Sequence, residues 1–258
     1  MTGTSLAGEH ALITGANRGI GAFVVRDLAA AGAAITLVVR DRDGAEAVIA
    51  SLPSDTRTHI AIADVTDRVA LIRACADAAV ALGSVTMLIN NAGAVETVPF
   101  LKTTPALFEQ MFAMHVMAAV TTAREVLPSM LGHKHGRIVN VSSIAGLHGA
   151  PYVAHYVVAK HGLLGLTRAL AAEFAGKGVT INAVCPGYTD TELVSRSISR
   201  ISKKTGLSED RALLAILADA SQPRIVHPQE VSDAIMAFLA PDAGEVNGQA
   251  TVIMGQDA

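Results

Sequence analysis

Seven short aliphatic runs constrain this chain more than any other feature: His10–Thr14, Ala34–Val39, His59–Ala63, Thr86–Asn90, Gly136–Val141, Val179–Val184 and Ala250–Met254. Most of them show no polar alternation. A strand with one wet face alternates apolar and polar residues, whereas a parallel strand covered by helices on both sides does not. Ala-rich stretches of helical period fall between the runs, at Gly19–Ala31, Asp67–Leu82, Thr104–Leu131 and Ala154–Ala175. Alternating strand and helix imply right-handed crossovers. The expected fold class is therefore α/β: a doubly wound, seven-stranded parallel sheet with helices on both faces. Thr104-Pro105 reads as a helix start, with the hydroxyl as N-cap and Pro in the first helical position.

No Pro/Gly/Ser linker, charge block or internal repeat divides the chain, so residues 1–258 are expected to form one domain. One segment breaks the rhythm. Tyr188–Pro228 is polar, locally helical and rich in Ser, Lys and Arg. A long insertion after a strand's carboxyl end lies where such sheets bind ligands, so about 188–228 is a candidate substrate lid.

Composition excludes several classes. With 20 Lys+Arg against 23 Asp+Glu the formal charge is −3, which gives no footprint for nucleic-acid phosphates. Apolar residues at 51% can bury a core and exclude disorder. Mean hydropathy is +0.42, yet no stretch reaches the roughly 18 uninterrupted apolar residues of a membrane span. Met1–Gly8 has no basic n-region and is not read as a secretory signal. Cys75 and Cys185 form neither zinc spacing nor a disulfide framework, pointing to a reducing, cytoplasmic setting. His133, His135, His148, His155 and His161 have no acidic partner at ligand spacing; no metal is expected, and they read as surface or pocket-edge residues.

Chemistry begins directly after the first run. Thr14-Gly15-Ala16-Asn17-Arg18-Gly19-Ile20-Gly21 turns into a helix, and glycines there let backbone N–H groups approach a pyrophosphate at the helix N-terminus. The spacing G-x-x-x-G-x-G resembles the T-G-x-x-x-G-I-G of the short-chain dehydrogenase/reductase family. Three further motifs follow in order: Asn90-Asn91-Ala92-Gly93 after the fourth run, Ser143 thirteen residues before Tyr156-Val-Val-Ala-Lys160, and Pro186-Gly187 after the sixth run. Together they span most of the chain. The texture is similar to 3-oxoacyl reductases and 3-hydroxybutyrate dehydrogenases.

The resemblance implies a Rossmann-like oxidoreductase that moves hydride between a nicotinamide and a secondary alcohol or ketone. Tyr156, Ser143 and Lys160 are its implied catalytic residues. Tyr156 and Lys160 lie four apart on one helical face, so an ammonium is expected to favour the phenolate of a Tyr whose reference pKa is about 10. Lys160 would also contact the cofactor ribose. Implied cofactor contacts are Gly15, Asn17, Arg18, Gly19, Ile20 and Gly21 in the turn, Asp64 and Val65 beside the adenine, Asn91, Ala92 and Gly93, and Pro186, Gly187, Thr189 and Thr191 at the carboxamide end. One departure stands out. The family usually carries an Asn in mid-helix four, where the helix opens around a relay water; here that register falls on His115. A histidine can donate, accept and titrate, so His115 either anchors the relay or is a satisfied packing residue.

Val39 occupies the place where NAD-preferring enzymes put an acid, and Arg40 follows it. Arg18 and Arg40 converging on a 2′-phosphate favour NADP(H) over NAD(H), with Asp41 as the one local counter-argument. Asn182–Tyr188, Leu193-Val194 and Gln222-Pro223 look like hydroxybutyrate dehydrogenases, but Val95, Ala145 and Val153 stand where those hold a carboxylate. An apolar or cyclic ketone, or a 3-oxoacyl thioester, is the expected substrate. Arg200, Lys203 and Lys204 either meet a coenzyme A phosphate or solvate the lid. The family pairs the Thr104–Leu131 and Ala154–Ala175 helices across a two-fold axis, implying a homodimer or homotetramer. The alternative is a non-catalytic dinucleotide-binding sensor or scaffold on the same fold.

Overall fold

A computed structural model describes residues 5–256. Residues 1–4 of the Met1–Gly8 segment, and the last two residues of the chain, lie outside the described residues.

The strands are β1 (His10–Thr14), β2 (Ala34–Val39), β3 (Thr58–Ile62), β4 (Met87–Asn90), β5 (Gly136–Val141), β6 (Val179–Pro186) and β7 (Ala250–Ile253). All pair in parallel, in the order β3-β2-β1-β4-β5-β6-β7. The helices are α1 (Gly19–Ala30), α2 (Arg42–Ile49), α3 (Arg68–Leu82), α4 (Pro105–Phe112), α5 (Ala118–His133), α6 (Ala154–Glu173), α7 (Glu192–Thr205), α8 (Glu209–Asp219) and α9 (Pro228–Leu239).

Non-alternating runs become strands buried on both faces. In β1, Ala11 and Ile13 point into one apolar cluster with Val24, Leu28 and Ile235, while Leu12 between them joins the opposite cluster with Leu71, Val126 and Leu127. The edges differ from that expectation: Ile62 on β3 and Val252 on β7 are half exposed, because an edge strand lacks helices over its whole width. Local chemistry sets the helix starts. Asp67 accepts the Val69 and Ala70 N–H groups, and Thr104 accepts the Leu107 N–H ahead of Pro105. The Thr104–Leu131 stretch is not one uninterrupted helix, however. Between α4 and α5 the chain makes a π-turn at Ala113–Met117, at the position where the family resemblance places an opened helix.

Chain order reverses between β1 and β4, which puts a crevice at the carboxyl ends of the central strands. A buried polar chain holds its wall. Thr122 of α5 donates to Asn90 Oδ1 (2.7 Å), Asn90 to Asn140 Oδ1 (2.9 Å) and Asn140 to Thr167 Oγ1 on α6 (2.9 Å). Among the described residues no helix is long and apolar enough to cross a membrane.

Candidate active site

The glycine turn sits at the reversal point. Gly15 adopts φ +67°, and a Cβ on Gly21 would run into the Gly15 carbonyl oxygen, so the turn closes only with hydrogen at these places. Arg18 is the N-cap of α1 but supplies no side-chain cap, and the first turn holds no acid. The free N–H groups and the positive helix end therefore face the crevice, a donor set that fits a pyrophosphate. Gly15, Asn17, Gly19 and Ile20 follow the turn as the sequence placed them.

Thr14, unassigned in the sequence reading, locks this turn to the next loop. Its Oγ1 accepts the N–H groups of Asn91 and Ala92, both at 3.0 Å. Asn91 returns two bonds, its Nδ2 donating to the Thr14 and Gly15 carbonyls at 3.0 Å each. The Asn91 amide is thus a staple under the cradle, while Ala92 and Gly93 continue along its wall.

Beyond the end of β3, Asp64 accepts the Thr66 N–H and hydroxyl at 2.9 and 2.6 Å. Those bonds, with Arg40 behind them, hold its carboxyl below the usual range. Arg40 stands 3.6 Å from Asp64, and Val65 packs on the apolar cluster beneath. Asp41 is committed elsewhere, accepting the Gly44 N–H as the N-cap of α2. Arg18 reaches across the chain to Glu192 at the start of α7 (2.9 Å). Neither arginine is free of a carboxylate, but all four side chains are exposed, where such pairs are weak.

Ser143 follows β5, its Oγ accepting the Ala145 N–H at 3.1 Å. Tyr156 sits in the first turn of α6 and Lys160 one turn later, with Nζ 5.5 Å from the Tyr156 ring centre. Lys160 is buried and donates to the Val141 carbonyl at 2.8 Å. The surroundings act on the phenol in two directions. Desolvation pushes Tyr156 up to about 12, and hydrogen bonding with Ser143 only partly offsets it. Burial also pulls Lys160 down to about 7, so its charge on the Tyr156 side of the crevice is partial near neutrality.

His115 lies in the π-turn, its ring edge-on to Tyr156 at 5.2 Å. Nε2 is 2.8 Å from the Ala94 carbonyl, which can only accept, so Nε2 carries the proton and Nδ1 is a bare lone pair. Burial first, and Lys160 second, hold the imidazole well below its usual pKa, hence neutral. Nδ1 is buried without a hydrogen-bond partner. It borders a cavity of about 10 Å³ lined also by Thr14, Asn90 and Lys160, roughly room for one water.

Pro186 ends β6 and Gly187 follows it. Thr189 is buried, donating to the Gly187 carbonyl at 3.1 Å, and Thr191 donates to the Thr189 carbonyl at 3.2 Å. Thr191 also closes against Gly19, so the segment after β6 and the glycine turn meet across the crevice. Among the histidines read as surface or pocket-edge, His155 is of the second kind, lining an apolar groove between α4 and α6. It is buried, edge-on to Phe108, with neither ring nitrogen partnered, because its position on α6 faces α4.

Comparison with known proteins follows this geometry. Residues 9–201 match the sequence profile described as short chain dehydrogenase. A putative ketoacyl reductase of granaticin polyketide synthase, from Streptomyces violaceoruber, is 34% identical over 249 residues, 95% of this chain and 91% of that protein. D-beta-hydroxybutyrate dehydrogenase of Rhizobium meliloti is 32% identical over 253 residues, 93% of this chain and 95% of that protein. An actinorhodin polyketide ketoreductase variant, crystallised with NADPH, superposes with TM-score 0.90 at 30% identity, covering 96% of each chain.

Proposed function

The chain belongs to the short-chain dehydrogenase family and is an NAD(P)-dependent oxidoreductase; on that premise we propose that it reduces a ketone to a secondary alcohol, with NADPH as the hydride source. The observation that carries this reading is geometric: Tyr156 and Lys160 stand one turn apart on α6, with Lys160 Nζ 5.5 Å from the Tyr156 ring centre, and Ser143 lies at the end of β5 against the Pro186 carbonyl. A protonated phenol is a donor. As hydride reaches the carbonyl carbon, the oxygen gathers charge, and Ser143 and Tyr156 hydrogen-bond it. Tyr156 then gives up its proton to that oxygen. Lys160, titrating near neutrality, can return a proton to Tyr156. His115 supports that return by accepting at Nδ1 a hydrogen bond from a water in the adjoining cavity, which that bond orients to pass a proton taken from bulk solvent on to Lys160.

NADP(H) is favoured over NAD(H). A 2′-phosphate brings two negative charges to Arg18 and Arg40, whose present partners are single exposed carboxylates that it can displace. The NADPH-bound polyketide ketoreductase supports the same choice. For substrate, Val95, Ala145 and Val153 offer no polar grip for a carboxylate, so an apolar or cyclic ketone, or a 3-oxoacyl thioester, suits the crevice. The 188–228 segment, carrying α7 and α8, acts as its lid. An NADPH-oxidation screen over free ketones, cyclic ketones, 3-oxoacyl thioesters and free 3-oxo acids tests this. Turnover with the first three classes and little with free acids is expected; a clear NADH preference sinks the arginine reading, and activity on free acids alone sinks the substrate reading.

The working unit is a homodimer or homotetramer. Phe112, Met117 and Val158 are exposed around an apolar groove of about 370 Å³ between α4 and α6. Beneath it lies the unpartnered His155, and at its rim Glu109. A two-fold pairing lets a face that carries both donor and acceptor satisfy itself. Buried free Cys75 and Cys185 suit a reducing cytoplasm.

A further inference from the structure

The lid leaves and rejoins the sheet through a narrow neck. Val226 N–H donates to the Tyr188 carbonyl (2.9 Å), Asp190 N–H to the Val226 carbonyl (2.8 Å), and Thr189 pairs with Val226 as a parallel bridge. Gln222 lies across this neck and is only 4% exposed, although the surrounding segment reads as polar surface. Its Oε1 accepts the Tyr188 N–H at 2.8 Å, and its Nε2 donates to the carbonyls of Tyr188 (2.8 Å) and Arg224 (2.6 Å). A Cβ on Gly187 would run into that Oε1, so the amide is seated against the end of β6 itself.

One side chain thus bonds both backbone groups of Tyr188, whose carbonyl also accepts from Val226, and the two together fix where its ring leaves the chain. The ring packs with Val194, Ile198 and Ala212, the apolar cluster between α7 and α8. Ser143 Oγ lies 3.5 Å from the Pro186 carbonyl, two residues before Tyr188, so Tyr188 leaves the same strand end that meets the reacting centre. Tyr188 therefore links the lid's interior to the reacting centre, and Gln222 sets its position.

We propose that Gln222 is a positioning residue, holding Tyr188 as a fixed aromatic wall of the ketone site beside Tyr156. The inference rests on the ketone-reductase reading, so its test carries one readout that needs no substrate. The chain has no Trp and three Tyr, so near-ultraviolet circular dichroism reports Tyr immobilisation. Gln222→Leu is expected to lose the same share of that signal as Tyr188→Phe. It should also raise KM for the ketone several-fold while the NADPH Kd stays within about twofold. Gln222→Glu supplies a second, conservative variant. Protonated, its acid can donate to one carbonyl and accept from Tyr188 N–H; ionised, it faces two carbonyl oxygens and repels them. Its kcat/KM should therefore show a loss with rising pH that the wild type lacks, which keeps the test open if Gln222→Leu does not fold. An unchanged dichroism signal with unchanged KM, or no added pH limb in Gln222→Glu, overturns the proposal. Absence of any ketone turnover in the wild type, with the dichroism loss present, overturns the ketone reading instead and leaves the Gln222–Tyr188 clamp standing.

Discussion

The two sides of the crevice are built by different physics. Its wall, from β4 to α6, is held by buried hydrogen bonds: Thr122, Asn90, Asn140 and Thr167 in one chain, and Lys160 on the Val141 carbonyl. The 188–228 segment, its proposed lid, meets the glycine turn through an exposed ion pair, Arg18 with Glu192, while Glu192 also pairs with Arg196. A buried polar group that loses its partner is left costly, whereas an exposed ion pair exchanges readily with water and salt. The reacting groups are consequently preorganised, and the lid's grip on the turn is adjustable. Only at the neck, through Gln222, does the lid borrow the wall's kind of bond.

The sharpest way to break this contrast is Lys160→Met. It removes the group proposed to return the Tyr156 proton and should lower kcat on the order of 10²–10⁴-fold. It should also stabilise the fold at low pH. Lys160 has a folded pKa of about 7 against an ordinary 10.5. The unfolded chain therefore binds the extra proton, and burial of the charged amine opposes folding below about pH 7. That penalty fades as pH rises toward 10.5. The Tm difference between variant and wild type, measured from pH 6 to 9, should be largest at pH 6 and shrink upward. A flat difference would contradict it.

Next in size is Asn140→Leu, which leaves the Asn90 amide without its acceptor. A loss of about 1–3 kcal/mol, or roughly 2–4 °C in Tm for each kcal/mol, is expected by thermal melting. The smallest effect belongs to the lid. Glu192→Gln should leave Tm within about 2 °C, since exposed changes rarely matter. It should nevertheless tighten NADPH binding a few-fold at low salt by freeing Arg18, with the gain vanishing at high salt. Equal Tm losses from Asn140→Leu and Glu192→Gln would erase the distinction between wall and lid.

What could be read from the sequence follows the same division. Local pattern was enough for the seven strands, the Thr104 cap and the glycine turn, because each depends on neighbours within a few residues. The order of motifs from Thr14 to Pro186 named residues that the fold gathers around one crevice. Partners chosen by tertiary packing were not legible. Arg18 meets Glu192 174 positions away, and Gln222 meets Tyr188 34 positions away. Nothing in the period of α6 marked His155 as facing α4, and the protonated state of Tyr156 depends on how deeply the crevice desolvates it. The π-turn was foreseeable only by register with the family's Asn, since Met111–Met117 carries no Pro or Gly to break a helix.

Tyr156→Phe tests the central claim most directly. The ring and its packing against His115 are kept, and only the hydroxyl is removed. NADPH binding by fluorescence titration should stay within about twofold, while single-turnover NADPH oxidation with a ketone falls on the order of 10²–10⁴-fold. Turnover that survives the loss of this hydroxyl would contradict the account.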